Sequence, residues 1–586
     1  LSRGDVQKGE VASDVVVEET FHMAAAHHCS MEPHGCVVHW ESDDRLVVYD
    51  STQSVNNVQT GLAAALGMPK ASVQVKREFM GGGFGSKTGV EKYHLITAML
   101  AKQIRRPLKL TLERAEEITT TGHRPQTVHK LRAGCKKDGT LTFIDLKAYV
   151  AAGAYQGSFS LSSGVPVREM YLCSNVRTEE YAVLTNYMTN CAMRGPGNVE
   201  GMAALELTMD RLAYAIGMDS LEFRRKNDSP WGDQVTQIPY SSKGLQRAYE
   251  LGSKEIGWAA KRQQKPGSGD GPIKRGVGVG SLIWAAGGGP PSAANVIIST
   301  DGSVTLQSAF NDIGEGATTA MAMVCAEEVG VPLKAVTVRN GDTGLGVFDL
   351  GTFGSRLTPS LTPAIRNAAA DARKQVLDAA SQILAVPVEG LYLEDGVIKS
   401  TADPQLKQPL VAVASKFTHV VVGKGFRGPN PNEYRVTAFG AQFAEVEVDT
   451  RTGAFKILKI VAAHDCGRAI NPFLVEGQIY GGLALGRGYA TSEERITDRN
   501  TGVVVTNNYV EYKVPTSIDS PPLVAIVVDD VDEHSNNTGV KGMGEPPGIP
   551  TAAAIANAIY NATGVMVTES PLTPDRVLKA LKAARK

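Results

Sequence analysis

Alternation of apolar and polar positions marks the clearest strands of this chain. FAEVEVDTRTGAFKILKIV, Phe443 to Val461, alternates, turns at Gly453 and alternates again, which predicts a β-hairpin. VVHW ending at Trp40 and LVVY ending at Tyr49 predict a second strand pair, and the turns DGTLTF at Asp138 and DGSVTL at Asp301 each feed a further strand. A spacing of three to four predicts five helices, each opening after a Gly-rich or Pro-rich loop. After GGGFGSKT, Gly81 to Thr88, one face carries Tyr93, Ile96, Leu100 and Ile104. After AMRGPG, Ala192 to Gly197, another carries Leu205, Met209, Leu212 and Ile216 and stops at Gly217. DIGEG, Asp312 to Gly316, opens a helix that ends before Gly330. GTFGSRLTPSLTP, Gly351 to Pro363, places Thr362 as N-cap and Pro363 at the first helical position of a fourth. GMGEPPGIPT, Gly542 to Thr551, opens a fifth through Ile555 and Ile559 to Gly564.

A glycine-rich loop feeding a helix presents bare N–H groups and the positive end of the helix dipole, the chain's ordinary way of meeting an anion. Five such starts point to a phosphate-bearing ligand. Between the halves, the polar segment KRQQKPGSGDGPIKRG, Lys261 to Gly276, reads as a linker, so the chain divides at 262/263.

Composition narrows the class. The 586 residues are enough for roughly three or four domains. With 42% hydrophobic and 21% charged residues, and 60 basic against 61 acidic, the chain reads as an ordinary globular protein with no pull towards nucleic acid or a membrane surface. No apolar run approaches the roughly 20 residues of a membrane span, and no signal segment opens the chain. The expected location is cytoplasmic, or periplasmic if a targeting segment was removed or lies on a partner; Leu1 in place of Met leaves an earlier N-terminal portion open. Seven cysteines without a Cys-x-x-Cys pair argue against a disulfide framework, a zinc ribbon or an iron–sulfur cluster held by this chain.

GGGFGSKT misses the nucleotide-binding P-loop because Ser86 stands where the second Gly belongs, although Gly81, Lys87 and Thr88 fit. GVGVGS at Gly276 is an incomplete dinucleotide fingerprint. Glu545, between Gly544 and two prolines, has a stiff backbone that suits a general base, against the plainer reading of a solvent-facing Glu in a rigid turn. His22, His27, His28, His34 and His39 crowd with Cys29 and Cys36, yet no Cys-x-x-Cys or His-x-x-x-His pair appears, and paired strands fit the run VVHW better.

Taken in order, STQ at Ser51 to Gln53, GGGFGSK at Gly81, AMRGPG at Ala192, DIGEG at Asp312, GSR at Gly354, DCGRAINP at Asp465 followed by GQIYGG, and GMGEPP at Gly542 resemble the molybdenum-cofactor subunit of the xanthine dehydrogenase and aldehyde oxidoreductase family, the molybdenum hydroxylases. The match spans nearly the whole chain. It implies an α+β fold of two large mixed α/β-sheet molybdopterin-binding domains, residues 1–262 and 263–586, with the cofactor in the cleft between them and the Glu loop on the second. It implies Glu545 as general base, Gln53 beside an oxo ligand of the metal and Arg194 beside the metal centre. Gly82, Gly83, Phe84, Gly85, Gly195, Ile313, Gly314, Glu315, Gly354, Ser355, Arg356 and Gly544 would bind the cofactor. The molybdenum itself would be held by the pterin dithiolene, with no protein ligand.

The implied reaction is hydroxylation of an aldehyde or N-heteroaromatic carbon with oxygen from water. Electrons would pass to an iron–sulfur subunit, with FAD on a further partner. The pterin would be molybdopterin or its cytosine dinucleotide. Departures from the family pattern are Thr88 where purine oxidisers carry a glutamate, Pro196 in place of a ring-stacking aromatic, Leu485 where many members have a pterin-contacting glutamine, and no copper-binding cysteine in AMRGPG. The family's large subunit has a further α+β domain ahead of Leu1, expected to be missing here or on another chain. The competing readings are a reductive dehydroxylase resembling 4-hydroxybenzoyl-CoA reductase, a P-loop nucleotide hydrolase, and a cofactor carrier without catalysis.

Overall fold

A computed structural model describes residues 1–155, 161–528 and 530–585. The N-terminal part holds a five-stranded sheet in the order Ser2–Arg3, Val176–Leu184, Leu141–Gly153, Thr127–Cys135, Val15–Met23. It also holds a four-stranded sheet ordered Val73–Lys76, Arg45–Asp50, Gly35–Ser42, Leu108–Thr111. The C-terminal part holds one sheet ordered Ile273–Ala285, Thr437–Asp449, Phe455–Asp465, Leu523–Val528, and another ordered Val336–Arg339, Val304–Gln307, Ala293–Ile298, Val421–Phe426. Helices pack on these mixed sheets, an α+β arrangement of the class the sequence implies.

The largest apolar core crosses the linker. Buried Leu131 and Leu205 from the first half join Val279, Phe443 and Ile555 from the second. Helix Asn198–Ala215 contacts the five-stranded sheet on one side and helix Thr551–Thr563 on the other. GVGVGS explains how closely helix Thr551–Thr563 packs on strand Ile273–Ala285. A Cβ on Gly276, Gly278 or Gly280 would lie 2.4, 2.1 and 2.6 Å from Ala562 N, Ala558 N and Pro550 O. Three glycines on one face of strand Ile273–Ala285 therefore admit an alanine-rich helix at close range, which is a packing device with no nucleotide in it.

The hairpin stands as predicted, Thr437–Asp449 against Phe455–Asp465, with Gly453 at φ +76° in the turn. So does the pairing of Gly35–Ser42 with Arg45–Asp50. Helices Asn198–Ala215, Ala317–Val329 and Thr551–Thr563 end where the sequence places them.

Two helix expectations are corrected. Helix Lys92–Ile104 buries Tyr93, His94, Thr97, Ala98 and Ala101, while Ile96, Leu100 and Ile104 are about half exposed. Small side chains win the packed face because they let the helix approach its sheet and seat His94 3.0 Å from buried Asp50. The fourth helix runs Leu357–Leu384, so Pro363 is inside it and Thr362 is no cap. The Pro359 carbonyl that Pro363 cannot serve accepts instead from Arg427 Nε at 3.0 Å, which removes most of the cost of an interior proline. Among the described residues no helix is long and apolar enough to cross a membrane.

Candidate functional site

A cavity of about 1230 Å³ opens where loops from both halves meet. Gln53, Gly82, Gly83, Phe84, Gly85 and Arg194 line it from the first half. Ile313, Gly314, Glu315, Gly354, Ser355, Arg356, Gly544 and Glu545 line it from the second. Gly195 stands behind the wall, its N–H directed at Glu545 Oε1 at 3.3 Å.

The GGGFGS loop is held open by its backbone. Gly82, Phe84 and Gly85 have φ of +93°, +54° and +111°, and a Cβ on Gly85 would lie 2.4 Å from the Ala192 carbonyl oxygen. A left-handed phenylalanine is strained and persists only where its surroundings fix it. Here the Phe84 carbonyl accepts from Arg194 N at 2.8 Å, and Gly85 N–H donates to Gln53 Oε1 at 2.8 Å. Gln53 spends one amide hydrogen on the Thr352 carbonyl at 2.8 Å, leaving the other for the cavity it lines. Lys87 does not face the cavity. Its buried ammonium lies on the carbonyl oxygens of Glu32 and Pro33 and the hydroxyl of Ser51, at 2.7, 3.4 and 2.8 Å. A nucleotide loop needs that lysine on its phosphates, and the following helix starts only at Lys92, so the P-loop reading ends here.

The histidine-rich segment is a strut. His34 Nε2 reaches the Ser86 carbonyl oxygen at 3.1 Å and His28 Nε2 that of Ala192 at 2.6 Å, pinning the two loops. Among the described residues no cluster of three His, Cys, Asp or Glu can hold a metal.

Glu545 is fixed on every side. Its N–H donates to Ser355 Oγ at 2.8 Å, and the Ser355 hydroxyl donates to its Oε2 at 3.0 Å. Ser355 itself is left-handed, at φ +56°. Burial pushes the Glu545 carboxyl above its ordinary range, against the pull of Gly195 N–H, the Ser355 hydroxyl and the Arg194 charge. Arg194 Nε donates to the Gly544 carbonyl at 2.5 Å and Nη2 to that of Gln478 at 3.0 Å; burial brings this guanidinium to about 10, so it stays charged at neutral pH.

Two helix starts beside the cavity cap themselves instead of presenting free N–H groups to an anion. The Asp312 carboxylate takes the N–H groups of Gly314, Gly316 and Thr318, so the helix Ala317–Val329 caps itself. Glu91 and His94 do the same for helix Lys92–Ile104. Glu315 is pushed up to about 8 by burial and by Asp312, which leaves it neutral and able to donate at pH 7. Arg356 turns its guanidinium onto the carbonyls of Gly289, Pro291 and Gly351, where it braces loops.

Arg468 of DCGRAINP, Gln478 of GQIYGG and Trp284 line the cavity, and none of them was given a role from sequence. A signal for Gln478 existed. Helix Pro472–Thr491 carries Gly477, Gly481, Gly482, Gly486 and Gly488, each costing about 1 kcal/mol in a helix interior, a cost that makes sense where something must approach closely. A Cβ on Gly482 would lie 2.4 Å from Pro547 Cβ and one on Gly486 2.5 Å from Thr551 Oγ1. The helix closes against the Glu545 turn.

Comparison with known proteins gives this arrangement its class. Two regions match families described as molybdopterin cofactor-binding domains, residues 1–228 and 251–521. The chain is 32% identical over 600 residues to the xanthine dehydrogenase molybdenum-binding subunit of Escherichia coli O157:H7, covering 100% of this chain and 79% of that one. It is 30% identical over 584 residues to the aldehyde oxidoreductase molybdenum-binding subunit of Escherichia coli (strain K12), covering 99% and 77%. Quinoline 2-oxidoreductase from Pseudomonas putida 86 superposes with a TM-score of 0.90 at 25% identity, over 99% of this chain and 78% of that one. The chain belongs to the xanthine dehydrogenase and aldehyde oxidoreductase family of molybdenum hydroxylases, as a molybdenum-binding subunit.

The cavity fits the family's cofactor. Gly83 and Gly85 form a cradle that a Cβ would fill or block, since one on Gly83 would lie 2.5 Å from Gln53 Oε1, while Gly314 and Gly354 open onto free space. The amides of Gln53 and Gln478 and the exposed guanidinium of Arg468 supply neutral and cationic donors of the kind a pterin and its phosphate require.

Proposed function

We propose that this protein catalyses oxidative hydroxylation of an aldehyde or an electron-poor N-heteroaromatic carbon, with Glu545 as general base, Gln53 and Arg194 at its side, and electrons leaving through a partner iron–sulfur subunit. The observation that supports it most is the placement of Glu545, a cavity carboxylate held between Ser355 and Gly195 and raised by burial. When bound, the molybdenum cofactor supplies the oxygen delivered to the substrate and takes up the two electrons.

The protein's part is proton handling and placement. Glu545 accepts a proton at the oxygen not engaged by Ser355, while Arg194 offsets the charge it carries before the transfer. Gln53 and the backbone around Phe84 and Gly85 form one wall. Pro196, Leu485 and Phe353 give the cavity an apolar side that limits water and receives an uncharged substrate. Thr88 also lines the cavity, and it cannot supply the carboxylate of the purine oxidisers, so purines are expected to be poor substrates. Residues 1–262 and 263–586 would act as the two cofactor-binding units, each contributing one wall.

The relatives are molybdenum-binding subunits, which supports iron–sulfur clusters on a separate chain, with FAD on a third. The test is dye reduction by the purified native complex with benzaldehyde, quinoline and xanthine as probes. Turnover of benzaldehyde or quinoline at least about tenfold above xanthine in kcat/KM is expected. Preference for xanthine would overturn the substrate assignment while leaving the hydroxylase reading intact.

A further inference from the structure

We infer that Gln442 is a positioning residue for Glu545: from inside the sheet its amide fixes the turn Pro546–Gly548, and thereby the place of the carboxylate. The inference rests on Glu545 being the base.

Gln442 is fully buried at the centre of strand Thr437–Asp449, between Gly280 and Ala462 on the neighbouring strands. Its amide is completely used. Nε2 donates to the Pro547 carbonyl at 2.7 Å and meets His464 Nε2 at 3.1 Å, and Oε1 accepts from the Thr551 hydroxyl at 2.7 Å. Because Gln442 donates to it, His464 Nε2 must be the acceptor, with the ring proton on Nδ1. Burial lowers His464 to about 3, so the ring stays neutral and keeps that role throughout the working pH range. A flipped amide would set its oxygen against the Pro547 carbonyl oxygen, which can only accept. One orientation is therefore enforced.

The contact lands where Glu545 is most sensitive. The turn begins with the Glu545 carbonyl, which accepts from Gly548 N at 3.1 Å, and the Pro547 carbonyl lies within it. On the far side, Gly482 and Gly486 bring the helix Pro472–Thr491 against Pro547 and Thr551 with no room to spare. The turn is thus clamped between a helix and one side-chain amide. An apolar residue at 442 would fill the space and leave the Pro547 carbonyl, the Thr551 hydroxyl and His464 Nε2 short of partners. The turn would shift to find them, and the bonds of Ser355 and Gly195 to the carboxylate, already 3.0 and 3.3 Å, would lengthen. Arg194 and Arg124 are the charged groups that bear on Glu545, and neither touches Gln442. The effect should fall on the proton transfer and spare the substrate walls.

The test uses Gln442→Met and Gln442→Glu in the native complex, with molybdenum content, kcat, KM and the pH profile measured together. The Glu545 carboxyl is titrated by infrared difference spectroscopy in the same samples, its band assigned by loss in Glu545→Gln. The expected result for Gln442→Met is wild-type molybdenum content, kcat lower by about tenfold to a hundredfold, KM within about twofold, and the acid limb and infrared midpoint both moved to higher pH. Gln442→Glu, which keeps an acceptor for Thr551, should fall between. An unchanged kcat and unchanged midpoint in Gln442→Met would overturn the inference. Should that variant fail to fold, Thr551→Val removes only the donor to Oε1; a smaller shift in the same direction supports the role and no shift refutes it. If the wild type turns over no substrate, the functional reading fails, and the infrared midpoint still decides the role of Gln442.

Discussion

Glu545→Gln is expected to lower kcat by about a thousandfold while the cofactor stays bound. The substitution keeps shape, and the amide can still meet Ser355 and Gly195, but it cannot accept the proton. The pH profile carries the same argument. The base must be ionised, and burial raises its folded pKa above the ordinary carboxylate value, so kcat/KM should fall as pH drops through that raised value, at a pH above the usual carboxylate range. The residual activity of the variant should lack this limb. Wild-type kcat in Glu545→Gln would remove Glu545 from the base role.

The second large effect is expected from Gly542→Ala. A Cβ there would lie 1.8 Å from the Ser355 carbonyl oxygen and 2.7 Å from Ser355 Cβ. Neither side can yield cheaply. Gly542 N donates to the Ala286 carbonyl at 2.9 Å, and Ser355 is held in its left-handed conformation by the loop around it. The loops must part, taking the Ser355 hydroxyl from Glu545 and opening the cavity. Overpacking of this kind costs about 1–3 kcal/mol, which a large folded chain survives, so the variant should be soluble with a lowered denaturant midpoint. Its molybdenum content and turnover should both fall below about a tenth of wild type, because the cofactor walls no longer meet. Full metal content with normal turnover would show that the contact of the two loops is dispensable.

Much of this site was legible in the sequence because its loops are built from glycine. Gly82 and Gly85 are needed for their left-handed backbone, Gly85 and Gly542 for close approach, and such positions leave a local mark whatever the fold around them. Strand alternation and glycine helix stops were legible for the same reason: they depend on neighbours in the chain. Contacts between distant segments were not. Ile96, Leu100 and Ile104 have the spacing of a buried face, yet the packed face is the one that carries Ala98, Ala101 and His94, the last seated 3.0 Å from Asp50, 44 residues away in sequence. Pro363 resembles a helix start, and the Arg427 guanidinium, distant in sequence, takes up the Pro359 carbonyl that an interior proline leaves unpaired. Gln442 is one polar residue in an alternating strand, and nothing near it in sequence announces Pro547, Thr551 or His464. Lys87 shows the converse, since a familiar local pattern was overruled by the carbonyls of Glu32 and Pro33.

The cavity is expected to hold a molybdenum cofactor. That expectation is tested most directly by elemental analysis of the natively expressed complex, with the pterin released and identified from the same sample. Molybdenum near one per chain, with a pterin carrying either a phosphate or a cytosine dinucleotide and iron accounted for by a co-purifying subunit, is the predicted result. A folded complex with neither molybdenum nor pterin would contradict it.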